Sequence, residues 1–124
     1  MQTFLVVDDH RLFLEGIQYV LKRLGTHTLV DTASSAQEAL SLLEGGTKYD
    51  LLLLDISLPK ISGFELIRSM QKRSIFVPIV LVSATTDVRD IQRGLQMGAS
   101  GFIPKNASSD EMLDSINDIL AGKL

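Results

Sequence analysis

The sequence predicts an α/β domain: a (βα)5 doubly wound, parallel five-stranded sheet with helices on both faces. The first observation is a set of apolar runs, FLVV (4–7), LLLL (51–54) and IVLV (79–82). They show no polar alternation, the pattern of strands buried on both faces. The second is that the segments between them place apolar residues at helical spacing, which gives each helix one face for the sheet. The third is size. The 124 residues are 45% hydrophobic and 22% charged, enough for a single core and one domain.

Taken in order, the first strand is FLVV, and Phe13, Ile17, Val20, Leu21 and Leu24 mark the first helix, stopped by Gly25. The segment THTLVDTA (26–33) is half polar and reads as an edge strand. Ala36, Ala39, Leu40 and Leu43 form the second helix, ahead of Gly45 and Gly46. LLLL and IVLV are central strands, because parallel strands need helical crossovers that cover both faces. A fourth helix spans about Asp87 to Met97, with Val88, Ile91 and Leu95 on one side, and ends at Gly98. GFIP (101–104) is short and contains proline, which places it at the other edge. Met112, Leu113, Ile116, Ile119 and Leu120 carry the last helix, closing at Gly122. Three helices begin with Ser followed three residues later by Glu, namely Ser35/Glu38, Ser62/Glu65 and Ser108/Glu111, the pattern of a capping box. Gly94, inside the fourth helix, is expected to weaken it by about 1 kcal/mol relative to alanine.

Composition excludes several functions. A net charge of −3 speaks against a nucleic-acid grip by these residues themselves. Absence of cysteine removes disulfides, thiolate metal sites and thiol chemistry. The start MQTFLVVDD has no basic segment before its aspartates, and the longest apolar stretch, Ile75 to Val82, is far short of the ~18 residues of a membrane span. A soluble, cytoplasmic protein without membrane contact is expected.

Parallel α/β sheets bind ligands at the carboxyl ends of their strands. There the sequence places Asp8 and Asp9 after the first strand, Asp55 after the third, Ser83 after the fourth and Lys105 after the fifth. Three carboxylates on one rim repel unless a cation joins them, and oxygen ligands suit a hard ion such as Mg2+. A carboxylate beside such an ion can attack phosphorus. Singly, the Asp and Ser residues here also read as ordinary helix caps, Asp9 above all. His10 reads as a first-turn helix residue and not a ligand, and His27 as a bystander on the edge strand. Met70, Met97 and Met112 fit core filling. Arg68, Lys72 and Arg73 fit a solvated helix face.

At VVDDH (6–10), LLLLDISLPKISG (51–63), VLVSA (80–84) and GASGFIPK (98–105), the sequence resembles a response-regulator receiver domain of two-component signalling, from residue 4 to residue 121. The DDH opening and GFIPK ending resemble the NarL/FixJ-type (LuxR-type) subgroup. The resemblance implies a flavodoxin-like strand order 2-1-3-4-5 and a receiver domain covering residues 1–124, with no effector domain in them. It implies that Asp55 accepts a phosphoryl group, and that Asp8, Asp9, Asp55 and the backbone carbonyl of Ser57 hold Mg2+, or Mn2+ in its place. Ser83 would bind the phosphoryl group, Lys105 would bridge to it, and Phe102 would follow the Ser83 hydroxyl. Ala84 would leave the phosphoryl group accessible, and Ser57 and Thr85 would tune its lifetime. The implied partners are a sensor histidine kinase or phosphotransfer protein, a second copy on phosphorylation, and DNA only through a helix-turn-helix domain elsewhere. In place of the family's frequent lysine–proline pair stands Lys105–Asn106, with Pro104 before it, and the isomer of the Ile103–Pro104 bond is open. The alternatives are a stand-alone receiver, a pseudo-receiver that is never phosphorylated, and a Mg2+-dependent phosphohydrolase. The last needs an acid two residues after the nucleophile, where Ser57 stands.

Overall fold

Five strands and five helices alternate along the chain in a computed structural model that describes residues 2–84 and 87–122. In order they are β1 (Gln2–Val7), α1 (Arg11–Lys22), β2 (Thr28–Ala33), α2 (Ala36–Glu44), β3 (Leu51–Asp55), α3 (Gly63–Lys72), β4 (Ile79–Ser83), α4 (Val88–Gln96), β5 (Gly101–Pro104) and α5 (Ser109–Leu120). All strand pairs are parallel and the order is β2-β1-β3-β4-β5. The three apolar runs therefore hold the centre, and the polar and proline-containing strands the edges.

Alternation of side chains along each strand divides the interior into two layers. Leu5, Val7, Leu52, Leu54 and Leu81 pack on one face with residues of α2 and α3, including Leu66, Ile67 and Met70. Phe4, Val6, Leu53, Val80 and Val82 pack on the other with Ile17 and Leu21 of α1 and Met112 and Ile116 of α5. Met70 and Met112 are buried and Met97 is half-buried against the first layer, as core filling requires. Arg68, Lys72 and Arg73 are exposed. His27 is exposed just before β2 and not on it. The Ile103–Pro104 bond is trans, since no peptide bond among the described residues is cis.

The helix starts differ from one another. Ser35, Ser62 and Ser108 each accept the backbone N–H three residues on. Only Ser108 makes the reciprocal bond, its N–H donating to Glu111 Oε1 at 2.9 Å. Glu38 turns instead to the N–H and hydroxyl of Ser34.

Gly94 has a packing role that its sequence neighbours do not show. It is the buried residue of α4, and a Cβ there would land on Leu81 Cδ1. The glycine brings α4 close to the sheet, so its gain in packing opposes the propensity cost.

A polar clasp joins β2 to the segment before β3. The Tyr49 hydroxyl donates to Asp31 Oδ2 at 2.6 Å. Burial, with help from the Asp31 carboxylate, pushes the phenol pKa up to about 12.

Candidate functional site: an acidic rim at the strand ends

Since β1 and β3 are neighbours in parallel register, their last residues lie side by side. Val7 pairs with Leu54, so Asp8 and Asp55 follow at the same rim. Both carboxylates are almost fully enclosed, at 1% and 2% exposure. Asp9 is exposed and makes no cap; the N-cap of α1 is His10. β5 delivers Lys105 to the same place: its N–H donates to the Ser83 carbonyl at 2.9 Å, and its side chain turns inward. The ammonium lies 2.7 Å from Asp8 Oδ2 and 3.2 Å from Asp55 Oδ2. The ring of Phe13 lies under it at 5.0 Å, a cation–π contact that the sequence reading did not find.

The loop after β3 shapes the far wall. Ser57 N–H donates to Asp55 Oδ1 at 3.0 Å, holding that carboxylate in one orientation. Lys60 has φ 65° in a tight turn closed by Ile61 N–H to the Pro59 carbonyl at 2.7 Å. Gly63 returns the chain against the strand, its N–H bonding the Ile56 carbonyl at 3.0 Å. A Cβ there would sit 2.7 Å from the Asp55 carbonyl oxygen, so only glycine fits. Ser83 is buried at the end of β4, Ala84 is exposed beside it, and Phe102 is half-buried in the layer that includes Met97. Thr85 lies outside the described residues.

The sequence reading kept His10 away from the chemistry, and here the structure differs. His10 Nδ1 is 2.7 Å from Asp8 Oδ1, 3.3 Å from Asp9 Oδ1 and 3.6 Å from Asp55 Oδ2. Its own backbone N–H also donates to Asp8 Oδ1, at 2.8 Å, which swings the residue toward the rim. Spacing in the sequence carried this signal, because a residue two after a strand-end aspartate can close such a turn.

Asp8, Asp9, His10 and Asp55 offer ligand atoms that all lie within 4.8 Å of one another, a cluster able to hold a metal ion. The donor chemistry fits a divalent cation. Buried Asp8 Oδ2 makes no hydrogen bond: the Lys105 contact is an ion pair without hydrogen-bond geometry. One ammonium faces three carboxylates, an imbalance that a divalent ion offsets.

Comparison with known proteins places the arrangement. The family model described as "Response regulator receiver domain" matches residues 4–117. The chain is 32% identical over its full length to the glycerol metabolism activator of Pseudomonas putida. It is 27% identical, over 98% of its length, to the nitrate/nitrite response regulator protein NarL of Escherichia coli K12. It spans 56% of the length of each, so it matches about half of these relatives. Among solved structures, the signal receiver domain of a NarL response regulator from Mycobacterium tuberculosis superposes with a TM-score of 0.85, at 28% identity and 98% coverage of both chains. Among the described residues no helix is long and apolar enough to cross a membrane. From its family match and its fold, the chain belongs to the response regulator receiver domain family of two-component signalling.

Proposed function

We propose that residues 1–124 form a Mg2+-dependent phosphoacceptor switch in which Asp55 takes a phosphoryl group from a histidine kinase or phosphotransfer protein. The supporting observation is the buried Asp55 carboxylate, held from one side by Ser57 N–H and faced from the other by Lys105, with Asp8 and Asp9 at the same rim. When bound, Mg2+ supplies charge neutralisation for the carboxylates and the incoming phosphoryl oxygens. Asp8, Asp9, Asp55 and the Ser57 carbonyl would hold it, and Mn2+ can replace it.

In the transfer, an Asp55 carboxylate oxygen forms a bond to phosphorus as the N–P bond of the donor phosphohistidine breaks. The electron pair of that bond stays with the leaving imidazole nitrogen. Ser57 N–H fixes Oδ1, which orients the carboxylate for in-line attack. Lys105, only 14% exposed on its side chain, keeps its charge directed at the developing equatorial oxygens. Exposed Ala84 leaves the approach open, while Ser57 and Thr85 tune how long the acyl phosphate survives.

The added charge is up to ~2 units. Buried Ser83 then turns its hydroxyl to a phosphoryl oxygen, and Phe102, half-buried against the core layer of α2 and α3, follows. The surface formed by α4, β5 and α5 thereby changes. The group tilts a two-state equilibrium by its differential free energy in the two states. The readout is an interaction, either a homodimer or release of a DNA-binding helix-turn-helix domain of the NarL/FixJ kind, in a cytoplasmic transcriptional regulator. Apart from its own phosphorylation and dephosphorylation, the domain is a switch and not an enzyme.

The test is labelling with a small phosphodonor, with and without Mg2+. The wild-type chain labels only with the ion, and Asp55→Asn loses at least about 100-fold of the label. Persistent labelling of the variant would move the acceptor elsewhere, and multiple turnover on a phosphomonoester would favour a hydrolase.

A further inference from the structure

His10 is the N-cap of α1, yet its side chain makes no cap hydrogen bond to that helix. The ring, although 60% exposed, is directed at the acidic rim. There a single nitrogen meets opposite demands. Nδ1 is 2.9 Å from the Lys105 ammonium, which requires a lone pair on the nitrogen. It is also 2.7 Å from Asp8 Oδ1, which requires a proton on it. Neither tautomer satisfies both neighbours. A cation among these atoms removes the conflict, because the Nδ1 lone pair and the carboxylate oxygens then share one target.

The spacing supports the same reading. Donors held about 2.0–2.2 Å from one zinc-like ion in tetrahedral geometry are roughly 3.3 Å apart. The measured separations from Nδ1 to the three carboxylates are 2.7, 3.3 and 3.6 Å. Buried Asp8 Oδ2, 1% exposed at the side chain, makes no hydrogen bond and has the Lys105 ammonium 2.7 Å away as its ion-pair partner. Ligand type then decides selectivity. Carboxylate and water suit Mg2+, whereas imidazole suits zinc and its neighbours.

We propose that the His10 imidazole is a ligand of the divalent cation at this rim. It gives the site an affinity for nitrogen-taking ions such as Zn2+ that the carboxylates alone do not supply. The inference rests on the acidic metal site of the phosphoacceptor reading and adds a residue that this reading does not use.

The experiment titrates the purified 124-residue chain with Zn2+ alone and Mg2+ alone by calorimetry, at one fixed pH, for wild type, His10→Ala and His10→Gln. The expected result is a loss of at least about tenfold in Zn2+ affinity in both variants, with Mg2+ affinity changed less than about threefold. The chain has two histidines, so ring-15N spectra give a second measurement in the unmutated protein. Zn2+ shifts the Nδ1 resonance of His10 and leaves His27 in place. Equal weakening for both ions, unchanged Zn2+ affinity, or an unmoved His10 resonance would overturn the proposal. If wild type still labels at Asp55 with Mg2+ in that case, only the His10 assignment fails. If wild type binds neither ion and does not label, the phosphoacceptor reading fails with it.

Discussion

Helices α3 and α4 adjoin over the same face of the sheet, yet they are held by different means. α3 buries Gly63, Phe64, Leu66, Ile67 and Met70, whereas α4 buries only Gly94. At about 1.5–3 kcal/mol for each large apolar side chain taken from water, α3 is anchored many times over. α4 turns Val88 and Leu95 outward, both exposed, and only Ile91 of the stripe seen in its sequence is half-buried. What holds it is fit and polar contact: the glycine against Leu81, and Arg93 stacked 4.3 Å from the centre of the Phe64 ring. An element tied by so little apolar area opens or shifts at a small cost in free energy. The pair therefore combines a fixed wall beside the Asp55 loop with a neighbour that can relocate.

Three substitutions bear on this contrast, the largest effect first. Leu66→Ala should cost about 2–5 kcal/mol in urea unfolding, through lost transfer energy and the cavity left behind. A cost near zero would mean that α3 is no better anchored than α4. Gly94→Ala should cost on the order of 1–3 kcal/mol, because overpacking against Leu81 outweighs the better helix propensity of alanine. A gain in stability would show that α4 is free to step back, with no fit to lose.

The smallest effect is local and depends on pH. Asp87 caps α4, accepting from Arg89 N–H at 2.9 Å, and pairs with the Arg89 guanidinium at 3.0 Å. The side-chain bond from Arg89, then the backbone one, holds the Asp87 carboxyl below its usual pKa of 3.8. A depressed carboxyl stabilises the helix start above the unfolded pKa and loses that effect as pH falls through the lower folded value. Acid titration by NMR should therefore move the Arg89 amide only below the ordinary carboxylate range. The Ser62 hydroxyl that caps α3 through the Glu65 N–H has no carboxyl proton to gain. Asp87→Ala should abolish the Arg89 transition. An Arg89 transition that survives this substitution would remove the difference between the two helix starts.

Much of the fold was legible in the sequence because burial on both faces leaves its mark on single strands. LLLL and IVLV need no partner to announce a central position, and Pro104 alone marks an edge. The rim followed from the same logic, since strand ends carry Asp8, Asp55 and Lys105 to one side. What escaped depends on distant neighbours. Gly94 looks like a helix flaw until Leu81 is seen beneath it. Glu38 fits a capping-box pattern, but Ser34 offers it two donors and wins. His10 joins the rim only because Asp8 bends the chain back through its backbone N–H, and Tyr49 meets Asp31 across a separation of 18 residues. Pairings of this kind have no local period to betray them.

The Tyr49–Asp31 clasp acts as an alignment peg for an outer strand. Asp31 pairs in register with Leu5 and points to the layer that holds Tyr49. Sliding β2 by one residue would flip every one of its side chains to the opposite face. It would strand the Asp31 carboxylate among Phe4, Val6 and their neighbours, without the phenol. With the phenol pKa pushed up to about 12, the peg keeps its proton through neutral and mildly alkaline pH, and the lateral border of the sheet keeps this clasp there.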